Sequence, residues 1–134
     1  MLKNMGPFLF FFLLFACAEK RSIAPGLTTR SALVELKGAP ENTQEVPGGE
    51  VLSYGTERYQ IKREMLTAVF RDPVGEEKNL LFWRHKFRDC ETTERKLSDE
   101  VNAEVEFACP SSGVSAIFVE GTGRVVRVSD YERP

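Results

Sequence analysis

The segment "GLTTRSALVELKGAP", Gly26 to Pro40, decides the fold because it has the start and stop signals of a helix. The Thr28 hydroxyl is placed to accept a hydrogen bond from the backbone N–H of Ser31, so Thr28 serves as N-cap. Gly38 supplies the left-handed residue that ends many helices, and the proline after it prevents continuation. The segment therefore predicts a helix of about ten residues.

One side of this predicted helix is apolar. Leu27 and Ala32 occupy the positions of a hydrophobic staple. Ala32, Leu33 and Leu36 recur at helical spacing and form a single stripe. A helix with one apolar stripe has to bury it against another element, so we expect it to pack on the elements that follow.

Most of the remaining chain alternates between apolar and polar residues as strands do. Residues 41–50 are interpreted as a turn-rich loop, and residues 91–102 allow a second short helix of one or two turns. No internal repeat is visible. A helix followed by strands predicts an α+β fold, with an N-terminal helix packed on an antiparallel β-sheet. The predicted strands are Val51–Tyr54, Met65–Phe70, Leu80–Asp89, Ala103–Cys109, Val114–Val119 and Arg124–Val128.

The N-terminus has the pattern of an export signal. A short start containing Lys3 precedes nine apolar residues, Phe8 to Ala16. A transmembrane helix needs about 20 such residues, so this run is too short to span a bilayer. The letters "LFAC" that end at Cys17 resemble the lipobox of bacterial lipoproteins, which implies cleavage before Cys17 and covalent lipid on it. Ala16-Cys17-Ala18 also fits an ordinary signal peptidase site, which would release a soluble protein.

These features divide the chain into a lipoprotein signal peptide (1–16), a lipidated N-terminus with tether (17–26) and one α+β domain (27–131). Several acyl chains on Cys17 would anchor the protein permanently. Ala18, rather than aspartate, suits the outer membrane, so we expect a lipid-anchored protein that faces the periplasm. The alternative is a secreted or periplasmic soluble protein.

The two remaining cysteines, Cys90 and Cys109, are an even pair in an oxidising compartment and predict a disulfide. If their strands formed a simple antiparallel hairpin, Cys109 would lie roughly 20 Å from Cys90. A disulfide needs Cα atoms within about 7 Å. The predicted bond therefore argues against that hairpin.

No constellation of residues suits catalysis. His85 is the one histidine, and it falls on the apolar side of a predicted strand, which favours a structural role. Cys90 and Cys109 lack the C-x-x-C spacing of redox centres and are too few for a zinc site. With a formal net charge of −2, the chain also has no basic footprint for nucleic acid. We expect a non-enzyme without a metal, without a cofactor other than the lipid, and without a nucleic-acid partner.

Two groups of residues are candidates for an interaction. Arg84, Lys86 and Arg88 form a stripe of cations along one predicted strand. Such a stripe fits either the solvated side of a sheet or contact with lipid phosphate or an acidic partner. Tyr54 and Tyr59 flank a predicted turn and fit either an aromatic patch for a protein partner or the core.

Three segments, Ile23–Pro40, Gly49–Tyr54 and Leu66–Phe70, together with the closing hairpin Ser115–Val128, resemble the SmpA/OmlA (BamE-like) lipoprotein family. On that alignment, residues 71–113 form an insertion. The resemblance implies an outer-membrane lipoprotein that binds or scaffolds envelope proteins, notably during outer-membrane protein assembly. Periplasmic inhibitor or ligand-binding modules of similar helix-plus-sheet fold are the alternative.

Overall fold

The computed structural model describes residues 22–134. The predicted signal peptide and Cys17 lie outside the described residues. Within the described part the chain forms two α-helices, eight strands and two short 3₁₀ turns. The helices are α1 (Arg30–Lys37) and α2 (Leu80–Lys86), and the 3₁₀ turns are Gly75–Lys78 and Pro110–Ser112. The strands are β1 (Asn42–Val46), β2 (Gly49–Tyr54), β3 (Glu57–Lys62), β4 (Met65–Arg71), β5 (Thr93–Lys96), β6 (Glu104–Cys109), β7 (Val114–Val119) and β8 (Arg124–Tyr131).

All eight strands belong to one sheet, in the order β1-β2-β3-β4-β8-β7-β6-β5. Every neighbouring pair is antiparallel. The prediction of an α+β fold with an antiparallel sheet is confirmed. The sheet is larger than the sequence suggested, and its second helix lies in the middle of the chain rather than in residues 91–102.

The sheet consists of two successive copies of one arrangement. A helix followed by four strands occurs twice: α1 with β1–β4, the first unit, and α2 with β5–β8, the second unit. The strand order is symmetric about the centre, where β4 pairs with β8. If the two units are exchanged, the same order is obtained, read from the opposite edge. The structure thus contains an internal repeat that the sequence analysis missed. Most of residues 71–113, expected as an insertion, form the beginning of the second unit.

Matching hydrogen bonds show that the two units are equivalent in detail. Arg30 N–H donates to the Glu64 carbonyl at 2.9 Å, and Leu80 N–H donates to the Gly123 carbonyl at 2.9 Å. The N-cap residues Thr29 and Asn79 each form an isolated bridge to the first residue of the last strand of their unit. Each helix is therefore fixed to its sheet at the same point.

A large buried side chain at the centre of each helix forms the core of its unit. Leu33 of α1 and Trp83 of α2 are almost fully buried at matching positions. The Trp83 indole N–H donates to the Glu77 carbonyl at 2.8 Å, which satisfies its polar atom. The first core is Leu33, Leu52, Tyr59, Ile61, Leu66 and Val69; the second is Leu80, Trp83, Val105, Phe107, Cys109, Val114, Ala116, Phe118, Val125 and Val128.

Each unit also ties the end of its helix to the last residue of its second strand, but the chemistry differs. In the first unit the Tyr54 hydroxyl donates to the Gly38 carbonyl at 2.8 Å. In the second unit Cys109 is joined to Cys90 by a disulfide, with Cα atoms 6.1 Å apart. Cys90 follows a helix rather than a strand, which is why the bond forms although β6 runs antiparallel to its neighbours.

The first helix is shifted by one residue from its prediction. Thr29, rather than Thr28, is the N-cap and accepts from Ala32 N–H at 3.2 Å. Thr28 is buried and accepts from Ala24 N–H at 2.9 Å. Leu27 is 82% exposed, so the predicted staple is wrong, and Leu36 is also largely exposed. The stripe is narrower than predicted, since Leu33 is the one residue of α1 that is fully buried.

Part of the predicted tether is likewise structured. Ile23 packs against the first core. Gly26 N–H donates to the Leu66 carbonyl at 2.8 Å, which holds this segment against β4. The tether is therefore shorter than residues 17–26.

The predicted strand Leu80–Asp89 is wrong, since Leu80–Lys86 is helix α2. Trp83 and Phe87 lie four apart and share a side at either spacing, whereas the burial of both Leu80 and Trp83, three apart, fits a helix and not a strand with one buried face. The side chain of Asn79 accepts from Leu81 N–H at 2.9 Å and starts the helix.

Three further segments differ from expectation. The predicted loop 41–50 contains β1 and the start of β2, and residues 91–102 contain β5 instead of a helical turn. Strand β3 was not predicted, and its hairpin with β4 turns at Arg63 and Glu64, which both have positive φ. Such a turn usually carries Asn-Gly, so Arg63-Glu64 gave no turn signal.

The two ties give a prediction about stability. Replacing both Cys90 and Cys109 by serine should lower the free energy of unfolding by about 3 kcal/mol, because the bond closes a loop of moderate length. Tyr54→Phe removes only the hydroxyl at the matching position and should cost about 1 kcal/mol. Urea unfolding of the three proteins measures the difference. Two freely alkylated thiols in the native exported protein would contradict the assignment of the bond.

Candidate functional site

The strand register places both helices on the same face of the sheet. Val69 belongs to the first core and Val128 to the second. Val69 lies opposite Asp130, and Arg71 lies opposite Val128, in the central β4–β8 pair. Residues two apart on a strand share a face, so both cores lie on one side, the helix face. No described helix lies on the other side, the open face.

The centre of the open face is apolar or small. Two large half-buried side chains, Phe70 and Tyr131, lie there on the two central strands, and Met65 lies on the same face at the start of β4, opposite Lys62. Smaller residues fill the space between and beside them: Ala68, Ala108, Ser115, Ile117 and Ser129. Charged residues flank this centre: Arg58 and Lys62 on β3, Glu104 and Glu106 on β6, and Arg127 nearer the start of β8.

The open face is large enough for a protein interface. Eight strands about 4.8 Å apart span about 34 Å, and six residues per strand span about 20 Å. The product, about 680 Å², is close to the roughly 800 Å² that each partner contributes to a standard interface. An apolar centre with a charged rim is also the usual anatomy of such a surface.

A cleft of about 840 Å³ opens on the helix face between α1 and the second unit. Its floor is formed by the central strands. One side is the segment 23–27, and the other is formed by residues 112–113 and the end of the chain at 132–133. The charged side chains that line it are Lys37, Glu57, Arg71, Asp130, Glu132 and Arg133.

One end of the cleft is closed by a network around Glu57. Lys37 Nζ lies 3.1 Å from the carboxylate, and the Tyr59 hydroxyl donates to it at 2.9 Å. Burial opposes ionisation of Glu57, but the bonds from Lys37 and Tyr59 outweigh it, so the pKa of Glu57 lies below its ordinary value. Lys37 also lies over the rings of Tyr54 and Tyr59, 5.7 and 5.3 Å from their centres. The charged and polar groups of Lys37, Glu57 and Tyr59 therefore already have partners in one another.

Arg71 holds the floor of the cleft to the second unit. Its two terminal nitrogens donate to the two oxygens of Glu77, both at 2.7 Å, and Nε lies 3.5 Å from Asp130. The hydrogen bond from Arg71 lowers the pKa of Glu77 below its ordinary value, against the effect of burial. A bidentate pair of this kind is stronger than a single ion contact.

The cleft exists because the two units differ at one pair of equivalent positions. Leu27 N–H donates to the Ala24 carbonyl and Glu77 N–H to the Val74 carbonyl, both at 3.1 Å, so Leu27 and Glu77 correspond. Glu77 fills the corner of the second unit by binding Arg71. At the corresponding corner of the first unit, Leu27 points largely into solvent and leaves space above Asp130.

The tyrosine pair is not an aromatic surface patch. Tyr59 is 2% exposed and belongs to the first core, with Tyr54 packed against it. The two rings meet edge to face, with centroids 5.7 Å apart. Of the two interpretations that the sequence left open, the structure supports core packing.

The three cations do not form a stripe along a strand, because Arg84 and Lys86 lie on α2 and Arg88 lies after it. Arg84 binds Glu94 at 2.9 Å, and Lys86 lies over the rings of Phe82 and Phe87. Arg88 lies only 3.9 Å from the adjacent Asp89. His85, expected on an apolar face, is exposed on the same helix.

The residues that form the open face and the cleft were not predicted from the sequence. The alternation in Met65–Phe70 showed that β4 has two faces but not which of them a helix covers. Arg71 and Glu77 are six residues apart in a segment with no strand or helix pattern, where a short-range ion pair is a weak signal. Lys37 and Glu57 are joined only because β3, an unpredicted strand, passes beneath α1.

Among residues 22–134, no group of three or more His, Cys, Asp or Glu side chains is placed to hold a metal ion. None of the helices in this part of the chain is long and apolar enough to cross a bilayer. No protein-family model, curated protein or solved structure matches the chain.

The Arg71–Glu77 pair predicts a pH-dependent contribution to stability. Glu77→Gln should lower the free energy of unfolding by about 1–2 kcal/mol at pH 7, because it replaces a charge-assisted bidentate pair. The folded-state pKa of Glu77 is lowered, so its contribution is present above the unfolded pKa of about 4.3 and is lost as the pH falls further. The two proteins should therefore converge below about pH 4.

Chemical unfolding between pH 3 and 7 measures this convergence, with Glu76→Gln as the control. Glu76 is exposed on the same turn and makes no such pair with another residue in 22–134. A stability difference between wild type and Glu77→Gln that stays constant over this range would contradict the assignment.

Proposed function

We propose that the chain is a lipid-anchored protein of the bacterial outer membrane that faces the periplasm and acts by binding another envelope protein, without catalysing a reaction. The lipid is carried by Cys17, after removal of residues 1–16. The resemblance to SmpA/OmlA (BamE-like) lipoproteins favours a role in outer-membrane protein assembly or envelope integrity.

The open face is the observation that carries this proposal. Its centre holds Phe70 and Tyr131, which are half-buried side chains on the paired central strands. The two helices lie on the opposite face, so a partner can approach the whole width of the sheet without displacing a described helix. Its estimated area suits one protein partner better than a small molecule.

The short tether supports a partner within the envelope. Ile23 already packs against the first core, and Ser22 is only five residues after Cys17. A fully extended segment of that length spans at most about 18 Å. A domain lipidated at Cys17 therefore stays close to the membrane surface, where envelope assembly takes place.

The cleft favours a second candidate function, a periplasmic inhibitor or ligand-binding module. Its volume of about 840 Å³ falls in the range of small-molecule sites. Its charged groups are largely paired with one another, however, and few remain free to orient a ligand. For this reason the open face is preferred as the functional surface.

The anchor is tested directly by metabolic labelling. In cells grown with labelled palmitate, the wild-type protein should incorporate label and fractionate with membranes, because Cys17 is the acylated residue. Cys17→Ser should lose both the label and the membrane fraction. Label that persists on Cys17→Ser would refute the anchor, and a soluble wild-type protein would favour the second candidate.

The open face is tested by substituting Phe70 at its centre. Cross-linking in cells followed by mass spectrometry should recover an outer-membrane partner with the wild-type protein. Phe70→Glu should reduce that recovery at least about tenfold, because a charge placed in an apolar interface core is costly.

Leu81→Glu is the matched control, since Leu81 is an exposed leucine on α2, on the opposite face. Both variants should keep the wild-type unfolding temperature within a few degrees. If Phe70→Glu and Leu81→Glu recover the partner equally, the open face is not the binding surface. Recovery of a periplasmic hydrolase as the sole partner would support the inhibitor function instead.

A further inference from the structure

The two outer strands of the sheet, β1 and β5, occupy equivalent places but differ in chemistry. All four residues of β5 are exposed, and three of them are charged. Each charged residue is held in an ion pair: Arg84–Glu94, Arg95–Glu106 and Lys96–Glu120, at 2.9, 3.5 and 2.8 Å. Charges of this kind are a common protection of an edge strand against pairing with another chain.

Strand β1 lacks this protection. Four of its five residues are exposed, and Glu45 is its one charged residue. It takes part in no ion pair within the described part of the chain. The edge therefore offers backbone groups with no strand partner among residues 22–134, beside side chains of which only Glu45 is charged.

The hairpin turn determines which backbone groups are free. Strands β1 and β2 are joined by the two-residue turn Pro47-Gly48, so Val46 and Gly49 form the closing hydrogen-bonded pair. Hydrogen-bonded and non-hydrogen-bonded pairs then alternate along the strands. The N–H and C=O groups of Thr43 and Glu45 consequently point away from β2, toward solvent.

We propose that β1 pairs antiparallel with β1 of a second copy of this chain, with Gln44 opposite Gln44 of that copy. In this register Thr43 of each chain lies opposite Glu45 of the other. The outward groups of these residues then form four hydrogen bonds between the chains. Asn42 lies opposite Val46, so no like charges face each other.

The same operation on β5 is unfavourable. Pairing about its corresponding residue places Arg95 opposite Arg95, and like charges directly opposite destabilise a strand pair. It would also crowd the existing pair between Arg95 and Glu106. We therefore expect β1 to pair with a second copy and β5 not to do so. Strand β5 serves as the control for β1.

This contact goes beyond the proposed function because it joins the open faces of two copies into one surface. The symmetry axis through Gln44 stands perpendicular to the sheet, so helix face continues into helix face. Strand pairing alone buries less than the roughly 1,000 Å² typical of stable complexes, so the dimer is transient in solution. Confinement on a membrane raises the effective concentration, and this step rests on the proposed anchor.

Disulfide trapping of the full chain tests the proposal. Non-hydrogen-bonded antiparallel pairs have Cα atoms about 4.5 Å apart, within the range for a disulfide. Gln44→Cys in membranes, after mild oxidation, should give a dimer on a non-reducing gel. Arg95→Cys, at the corresponding position of β5, should not. The parent chain, oxidised in the same way, is the control for any disulfide that forms through Cys17.

The register gives a second test that does not depend on one variant. Asn42→Cys and Val46→Cys should cross-link when the two proteins are co-expressed, and neither should do so alone. Thr43→Pro, which removes one outward N–H, should abolish trapping at Gln44→Cys while leaving the unfolding temperature nearly unchanged. Equal trapping at Gln44→Cys and Arg95→Cys, or trapping of Asn42→Cys by itself, would overturn the proposed register.

An error in the proposed β1–β1 contact can be distinguished from an error in the proposed lipid anchor at Cys17. A chain that also carries Cys17→Ser should still form the Gln44→Cys dimer at high protein concentration, because the strand pairing does not need lipid. Absence of the dimer both in membranes and in concentrated solution would overturn the inference, whatever partner the open face binds. Trapping of Gln44→Cys to another protein, with no self-dimer, would overturn it as well.

Discussion

The antiparallel pairing of β4 with β8 is the constraint on which the rest of the structure depends. Four residue pairs, from Ala68–Tyr131 to Arg71–Val128, join the two units into one sheet. The pairing puts Val69 and Val128 on the same side, so both helices lie on one face. The open face, the cleft above Asp130 and the two free edges all follow from this one contact.

The two units keep the same geometry with different side chains. Arg30 and Glu50 form an ion pair in the first unit, whereas the equivalent contact in the second unit is between the apolar Leu80 and Val105. A hydroxyl bond in one unit likewise corresponds to a disulfide in the other. Both members of each pair change together, so the contact survives while sequence similarity is lost. This is why the repeat is visible in the hydrogen bonds and not in the sequence.

The differences between the two units also give them different surfaces. The corner that Glu77 fills in the second unit is open at Leu27 in the first, which produces the cleft. The edge that three charged residues protect at β5 carries one charged residue, Glu45, at β1. The repeated fold therefore presents unequal surfaces. The open corner and the less protected edge both belong to the first unit.

Local chemistry in the sequence was sufficient for much of the fold. The helix that ends at Gly38, the strands at 65–70 and 114–119, and the class of fold could all be predicted, because capping and alternation are local signals. Tertiary structure decided the rest. Leu80–Lys86 alternates as a strand does, and the burial of Leu80 together with Trp83, three residues apart, identifies it as a helix. Which side of β4 is covered depends on β8, about sixty residues later, and pairing over such a distance leaves no local pattern.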